Sequence, residues 1–250
     1  MVNKIIDINC DVGEGVGNEA DLFPMISSCN IACGGHAGSK VTIRQCLKLA
    51  EKFNVRIGAH PSYPDRDNFG RVSMSISDND LIKSIENQLK LFISECNELE
   101  VKLHHIKPHG ALYNDIIKNE HLANVFLTAI SSYRSNVILY VPYGSVIEAL
   151  AQAKNFNIMK EAFADRNYNN DLSLVSRKQD KALITNGKEV LQHLVLMCNE
   201  YLVRTVTGEK IPIQADTFCI HGDTPSAFQI LTYITEHLPE YNLQLYREFP

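Results

Sequence analysis

Tryptophan is absent from these 250 residues, and so is any excess of positive charge, since 24 basic side chains stand against 29 acidic ones for a formal net charge of −5. A mildly acidic chain without a basic stripe has no electrostatic reason to bind nucleic acid or an anionic membrane. No apolar stretch approaches the roughly 18 residues that suggest a membrane span. The opening MVNKIIDINCD reaches Asp7 and Asp11 too soon for a secretory signal, so a cytoplasmic protein is expected. Ser/Gly/Pro-rich linkers, low-complexity tracts and blocks of like charge are missing as well, and one domain over residues 1–250 is expected. The seven cysteines include no CxxC pair and sit among apolar neighbours, which favours buried reduced thiols over a zinc or redox site. No GxSxG elbow and no GxxxxGK[ST] loop occurs, which argues against covalent serine hydrolysis and P-loop chemistry. Gly13, Gly15 and Gly17 fail the dinucleotide spacing because Asn18 occupies the final position, and acidic side chains among them would repel a pyrophosphate.

What the chain does have is a repeated design of short apolar run, polar turn and helix. KPHGALYN, Lys107 to Asn114, is its densest example, and DINCDVGEG, NIACGGHAG, IGAHPSYPDR, EAFADR and FCIHGD repeat it with other polar groups. Strands are expected near 5–10, 29–33, 55–59, 101–106, 137–141, 157–164 and 217–220, with Asn9, Asp11 and Glu14 at or beyond the end of the first. Helices are expected from about Ser39, from Ser77 and Asp80 as a capping box, around 122–129, over 146–153 and 189–202, and after Thr224 as cap with Pro225 at the first helical position. Residues 205–213 read as a hairpin or as irregular chain. Strands alternating with helices predict a parallel sheet. An open doubly wound sheet would gather function at one switch point. At least five strand ends here carry polar clusters, which suits a closed, irregular TIM-like β/α barrel of seven or eight mostly parallel strands.

His60, His109 and His221 follow apolar strands and keep company with Asp11, Lys107, Asp165 and Asp223, so they read as chemistry; His104, His105, His121, His193 and His237 read as structural. Asp11, His36 and His60 offer either divalent-metal ligands or an organic acid/base site. Lys107 either stabilises an oxyanion or phosphoryl group or is a solvent-facing lysine. His221 and Asp223 form either a base with its orienting carboxylate or a residue beside a helix cap. Asp165 and Arg166 either bind a substrate carboxylate or make a plain surface pair.

The stretches DINCDVGEG, NIACGGHAG, IGAHPSYPDR with FGR, KPHGALYN, EAFADRNY and HGDTP resemble the LamB/YcsF family across essentially the whole chain. The chain departs from the family where an aromatic is usual and Gly35 stands, and where a proline is usual and Ser176 stands in LVSR. The resemblance implies a barrel related to glycoside hydrolases and deacetylases. It also implies ATP-dependent opening of 5-oxoproline to L-glutamate, with ADP and phosphate released, alongside two partner subunits, B and C. It implies ATP as co-substrate and leaves a divalent metal open. Catalytic candidates are Asp11 with His60 as an acid/base pair, Lys107 with His109 for charge, and His221 with Asp223 for protons. Asn9, Glu14, His36, Tyr113, Asp165 and Arg166 are the substrate-binding candidates. Two rivals remain in view, a metal-dependent deacetylase or carbohydrate hydrolase, and a non-catalytic subunit that presents substrate to partners.

Overall fold

The computed structural model describes residues 3–247. Seven parallel strands close into a ring: β1 (Lys4–Val12), β2 (Ser28–Ala32), β3 (Arg56–His60), β4 (His105–Ile106), β5 (Ile138–Pro142), β6 (Asn157–Phe163) and β9 (Thr217–Cys219), which pairs with both β6 and β1. Between β6 and β9 an antiparallel hairpin, β7 (Leu202–Arg204) with β8 (Lys210–Pro212), stands outside the ring. A final strand, β10 (Leu243–Leu245), pairs with Lys4–Ile6 of β1, just before the stretch that β9 occupies. The expected barrel is therefore present with seven strands in the ring, and the expected segment 205–213 is part of a hairpin.

Helices α1 (Glu19–Leu22), α2 (Lys40–Phe53), α3 (Asp78–Glu98), α4 (Gly110–Asp115), α5 (Glu120–Ala129), α6 (Val146–Ala153), α7 (Gly187–Val195) and α8 (Ala227–His237) connect the strands. Ser39 and Thr42 form a capping box on α2. On α3 the Ser77 side chain accepts from the Asp80 amide, which is half of the box expected there. Leu81, Ile85, Leu89, Phe92 and Cys96 of α3 are buried, as their helical spacing requires. None of the described helices is long and apolar enough to cross a membrane.

Two sequence expectations are corrected. The helix expected over 189–202 leaves α-geometry at Leu196, passes through a π-helical turn to Glu200 and stops at Tyr201 in left-handed backbone (φ 56°). Tyr201, near the end of that expected helix, is 52 % exposed. The last helix begins at Ala227 rather than at Pro225, because the Thr224 hydroxyl donates to Asp165 Oδ2 (2.5 Å) instead of capping it.

The interior of the ring is polar, where branched apolar residues are usual. Along β1, Ile6, Ile8, Cys10 and Val12 belong to the apolar core, while the alternate residues Asp7, Asn9 and Asp11 bond to side chains of other strands. Asp7 accepts from Ser28 (2.6 Å) and Thr217 (2.5 Å). Asn9 donates to Glu161 (2.9 Å) and Thr217 (2.8 Å). Asn30 donates to Asn9 and Asp11 (both 2.7 Å) and accepts from His105 (2.7 Å). Buried polar groups in so tight a space are tolerable because they satisfy one another.

Gly58 gives His105 its room, since a Cβ there would lie 2.0 Å from the ring Nε2. Gly58→Ala is therefore expected to destabilise the protein by about 1–3 kcal/mol, read as a lower midpoint in denaturant. Burial holds His193 at about 4, below its ordinary 6.5. Between those values the unfolded chain binds the proton that the native chain refuses, so stability falls as pH drops from 6.5 to 4. His193→Gln is expected to lose less melting temperature than the parent between about pH 7 and about pH 4.5.

Candidate functional site

The C-terminal strand ends converge on a cavity of about 510 Å³, lined among others by Asp11, Glu14, His60, Lys107, His109, Tyr113, Arg166, His221 and Asp223. Nine of the twelve candidate residues thus face one space; Asn9, His36 and Asp165 stand behind them and hold them in place. Asn9 and Asp11 lie within β1, which runs on to Val12, so both project into the barrel rather than beyond the strand.

Lys107 forms the floor. It is 2 % exposed, and its ammonium meets Glu161 Oε1 at 2.8 Å, Asp11 Oδ1 at 3.0 Å, Asn9 Oδ1 at 3.2 Å and Cys219 Sγ at 3.2 Å. The reading of Lys107 as a solvent-facing lysine is excluded. Burial disfavours the ammonium, but Asp11 and Glu161 outweigh it and hold its pKa well above the ordinary value. Burial likewise opposes the Asp11 carboxylate, and the neighbouring His60 and Lys107 overcome it, leaving Asp11 well below the usual range.

Above Lys107 sit three histidines. His60 donates from Nδ1 to the Lys107 carbonyl (2.7 Å), and His109 donates from Nε2 to the Phe69 carbonyl (3.0 Å). The second bond depends on Gly110, whose φ of 58° and missing side chain let the chain press against Gly70; a Cβ there would lie 2.5 Å from the Gly70 carbonyl oxygen. The remaining nitrogens, His60 Nε2 and His109 Nδ1, face each other at 3.0 Å. Asp11 Oδ2 lies 3.4 Å from the first and Glu14 Oε1 3.3 Å from the second. Gly13, at φ 72°, turns the chain after β1 so that Glu14 can fold back to this point. His36 stacks on His109 with ring centroids 3.6 Å apart and meets Glu14 Oε1 at 2.9 Å. Burial, then His60, drives His36 down to about 2, so it stays neutral. Burial lowers His109 too, and burial with the Asp11 and Asp223 charges raises Glu14 well above the carboxylate range.

On the opposite wall the expected His221–Asp223 pair does not form. His221 Nδ1 donates to Asp165 (3.0 and 3.1 Å), which is wholly buried and also accepts the His221 amide and the Thr224 hydroxyl. Burial raises the Asp165 pKa, but His221 and the remaining donors together leave it lowered. Asp223 instead pairs with Arg71, and with Arg177 at 3.3 Å. Arg166 is neither a surface residue nor paired with Asp165. It is 6 % exposed, and Nη2 and Nε donate to the carbonyls of Val175 (2.7 Å) and Ala182 (3.3 Å), strapping down the loop that roofs the cavity. Tyr113 lines the cavity, and its hydroxyl and the second Glu161 oxygen are buried without hydrogen-bond partners.

Sequence reasoning missed Glu161, Asn30 and Arg71. For Glu161 the signal was present: in EAFADR, Glu161, Phe163 and Asp165 alternate with alanines, the period of a strand with one polar face. Gly35 also gains a reason, since a Cβ there would lie 2.4 Å from both Gln88 Oε1 and Ser62 Oγ. Gln88 fills that space and bonds both the amide (3.0 Å) and the carbonyl (2.8 Å) of Ser62.

A profile of the LamB/YcsF family matches residues 6–248. The chain belongs to the LamB/YcsF family. It is 36 % identical over 242 residues to the 5-oxoprolinase A subunit of Haemophilus influenzae (strain PittEE), covering 97 % of this chain and 99 % of that one. It is 40 % identical over 234 residues to the 5-oxoprolinase A subunit of Bacillus cereus (strain B4264), covering 90 % and 92 %. Its fold superposes on the lactam utilization protein from Thermus thermophilus with a TM-score of 0.90, at 30 % identity over 98 % of this chain and 100 % of that one. The barrel of this LamB/YcsF member is thus shared along its entire length.

The Asp165 contact fixes the neutral His221 ring as the Nδ1–H tautomer. Imidazole ¹⁵N shifts are expected to report that tautomer in the parent and a mixture of tautomers in Asp165→Asn, while Asp223→Asn leaves it unchanged. A mixture in the parent would refute the pairing.

Proposed function

We propose that this chain is the A subunit of an ATP-dependent 5-oxoprolinase, a cytoplasmic enzyme that opens the lactam of 5-oxoproline to L-glutamate together with two partner subunits, B and C. The observation that carries the reading is Lys107. It is a buried ammonium held between Asp11 and Glu161 at the base of a small-molecule cavity, in a chain whose relatives bear that name.

The chemistry demands such a site. A lactam is a resonance-stabilised amide with a poor nitrogen leaving group, so the carbonyl oxygen is activated by transfer of the ATP γ-phosphoryl group, releasing ADP. Water then adds to the ring carbon and gives its proton to a base. The C–N bond breaks, the ring nitrogen takes up a proton, and a second water releases phosphate from the acyl phosphate so formed. A fixed cation beside the carbonyl oxygen stabilises its growing negative charge without reorganisation, and Lys107 is suited to that task. The Asp11–His60 pair is suited to receive the proton of water. On the facing wall, Asp165 orients His221 for exchange with the ring nitrogen. Arg71 and Arg177 at the rim suit the carboxylate of 5-oxoproline.

A second reading, metal-dependent hydrolysis of an acetyl amide without nucleotide, is favoured by one observation, the convergence of Asp11, Glu14, His60 and His109. It requires acetate release from N-acetylated sugars in the absence of ATP.

The deciding assay is glutamate release from 5-oxoproline with ATP, using this chain with and without its partner subunits. Lys107→Met is expected to lower turnover by about 10²–10³-fold, the scale of losing a charge-stabilising group. The same change strands two buried carboxylates at about 3–5 kcal/mol, so rates are normalised to the folded fraction. Full turnover per folded molecule would remove Lys107 from the chemistry.

A further inference from the structure

We propose that Asp11, Glu14, His60 and His109 form a binding site for a divalent first-row transition ion, with His36 as a positioning residue behind Glu14. Four observations converge on it, and none depends on the identity of the substrate.

The first is the direction of the ring hydrogens. Carbonyl oxygens only accept, so the bonds from His60 Nδ1 to Lys107 and from His109 Nε2 to Phe69 place each neutral ring's proton on its outer nitrogen. Two lone pairs then meet at 3.0 Å, between His60 Nε2 and His109 Nδ1, with carboxylate oxygens on the same side. Two ring nitrogens and two carboxyl oxygens aimed at one point form an arrangement that a cation would satisfy. Metal-bound histidines characteristically carry this outer bond to a carbonyl or carboxylate.

The second is spacing. Bonds of about 2.0–2.2 Å to nitrogen and oxygen in a tetrahedral shell put the ligand atoms roughly 3.3–3.6 Å apart. Here the separations are 3.0 Å between the rings, 3.3 Å from His109 to Glu14, 3.4 Å from His60 to Asp11 and 4.0 Å from His60 to Glu14. All four atoms lie within 4.8 Å of one another.

The third is charge. Among the described residues the ion-pair neighbours of Glu14 are all histidines, His36, His60 and His109. Lys107 meets Asp11 through Oδ1. Glu14 Oε1 and Asp11 Oδ2 thus face the two rings without a lysine or arginine between them, where a cation would be a favourable partner.

The fourth is access and orientation. All four side chains line the cavity, so an ion could reach them from solvent. Asp11 is held by Lys107 and Asn30 through Oδ1, which leaves Oδ2 toward His60. His36 meets Glu14 at 2.9 Å and stacks on His109, which fixes two ligands at once. Two imidazoles with two carboxylates suit zinc, manganese, iron or cobalt better than magnesium or calcium, which prefer all-oxygen shells. Such an ion would add a Lewis acid to the cavity.

The test is direct titration of chelator-stripped, full-length protein with Zn²⁺, and with Co²⁺ for its visible absorption. The expected result is about one equivalent bound below micromolar concentration, with cobalt bands of four- or five-coordinate intensity. His109→Ala and Glu14→Gln are each expected to weaken zinc binding by more than roughly 100-fold, and His36→Gln by about 10–100-fold, the range for a residue that orients a ligand. His121→Ala, on an exposed side chain of α5, is expected to bind as the parent does. Glu14→Gln removes one of the crowded carboxylates and is expected to melt no lower than the stripped parent, so its result does not hinge on misfolding. Failure to bind either ion at tens of micromolar, or parental affinity in both Glu14→Gln and His109→Ala, overturns the site and leaves a shared proton between the rings. Metal affinity is read by titration and the 5-oxoprolinase reading by glutamate release, so the two fail separately; with an ion bound, Asp11 and His60 would hold it rather than accept a proton.

Discussion

The structure turns on one buried ammonium. Lys107 sits where seven strands converge, and without its charge Asp11 and Glu161 would be two carboxylates buried on either side of an uncharged gap. Burying any one of these groups alone costs several kcal/mol. Together, with Asn9 and Asn30 donating to the same two carboxylate oxygens that Lys107 meets, they form a network in which each member makes the others tolerable. That mutual dependence explains why the barrel is filled with Asp, Asn, His, Glu and Thr instead of valine and isoleucine.

A polar filling has a mechanical consequence. Branched apolar side chains pack interchangeably, whereas hydrogen bonds fix both partner and direction. Tyr140, Ser28, Asp7 and Thr217 form the lowest tier, Asn9, Asn30, His105 and Glu161 the next, and Lys107, Asp11 and His60 the one that opens to the cavity. Each tier orients the one above it, so the groups that line the cavity stand on a scaffold with little rotamer freedom.

The two walls of the cavity divide the labour. One wall gathers acceptors, with His60, His109, Asp11 and Glu14 aimed at a single point. The other holds the Asp165–His221 pair and, at the rim, the arginines around Asp223, under a loop strapped down by Arg166. The cavity thus has acceptor groups on one side and an imidazole with two arginines on the other.

Much of this was legible from local sequence. Alternation of apolar runs with amphipathic helices, and polar clusters at so many strand ends, is enough for a closed β/α barrel, because strand and helix periodicities are properties of neighbours in the chain. The same local logic marked Asp11, His60, Lys107 and His109. What sequence could not decide was partnership. His221 and Asp223 are two residues apart and look like a pair, yet the imidazole bonds Asp165, 56 residues away, while Asp223 turns to Arg177 and Arg71. Arg166 follows Asp165 directly and still spends its guanidinium on carbonyls of the roof loop. Glu161 carried a local signal in its alternation with alanines, but its partner could not be read there, because only ring closure brings Lys107 across the barrel to meet it. Composition and periodicity act over a few residues; hydrogen-bond direction and charge compensation act through space, and only the closed barrel sets those distances.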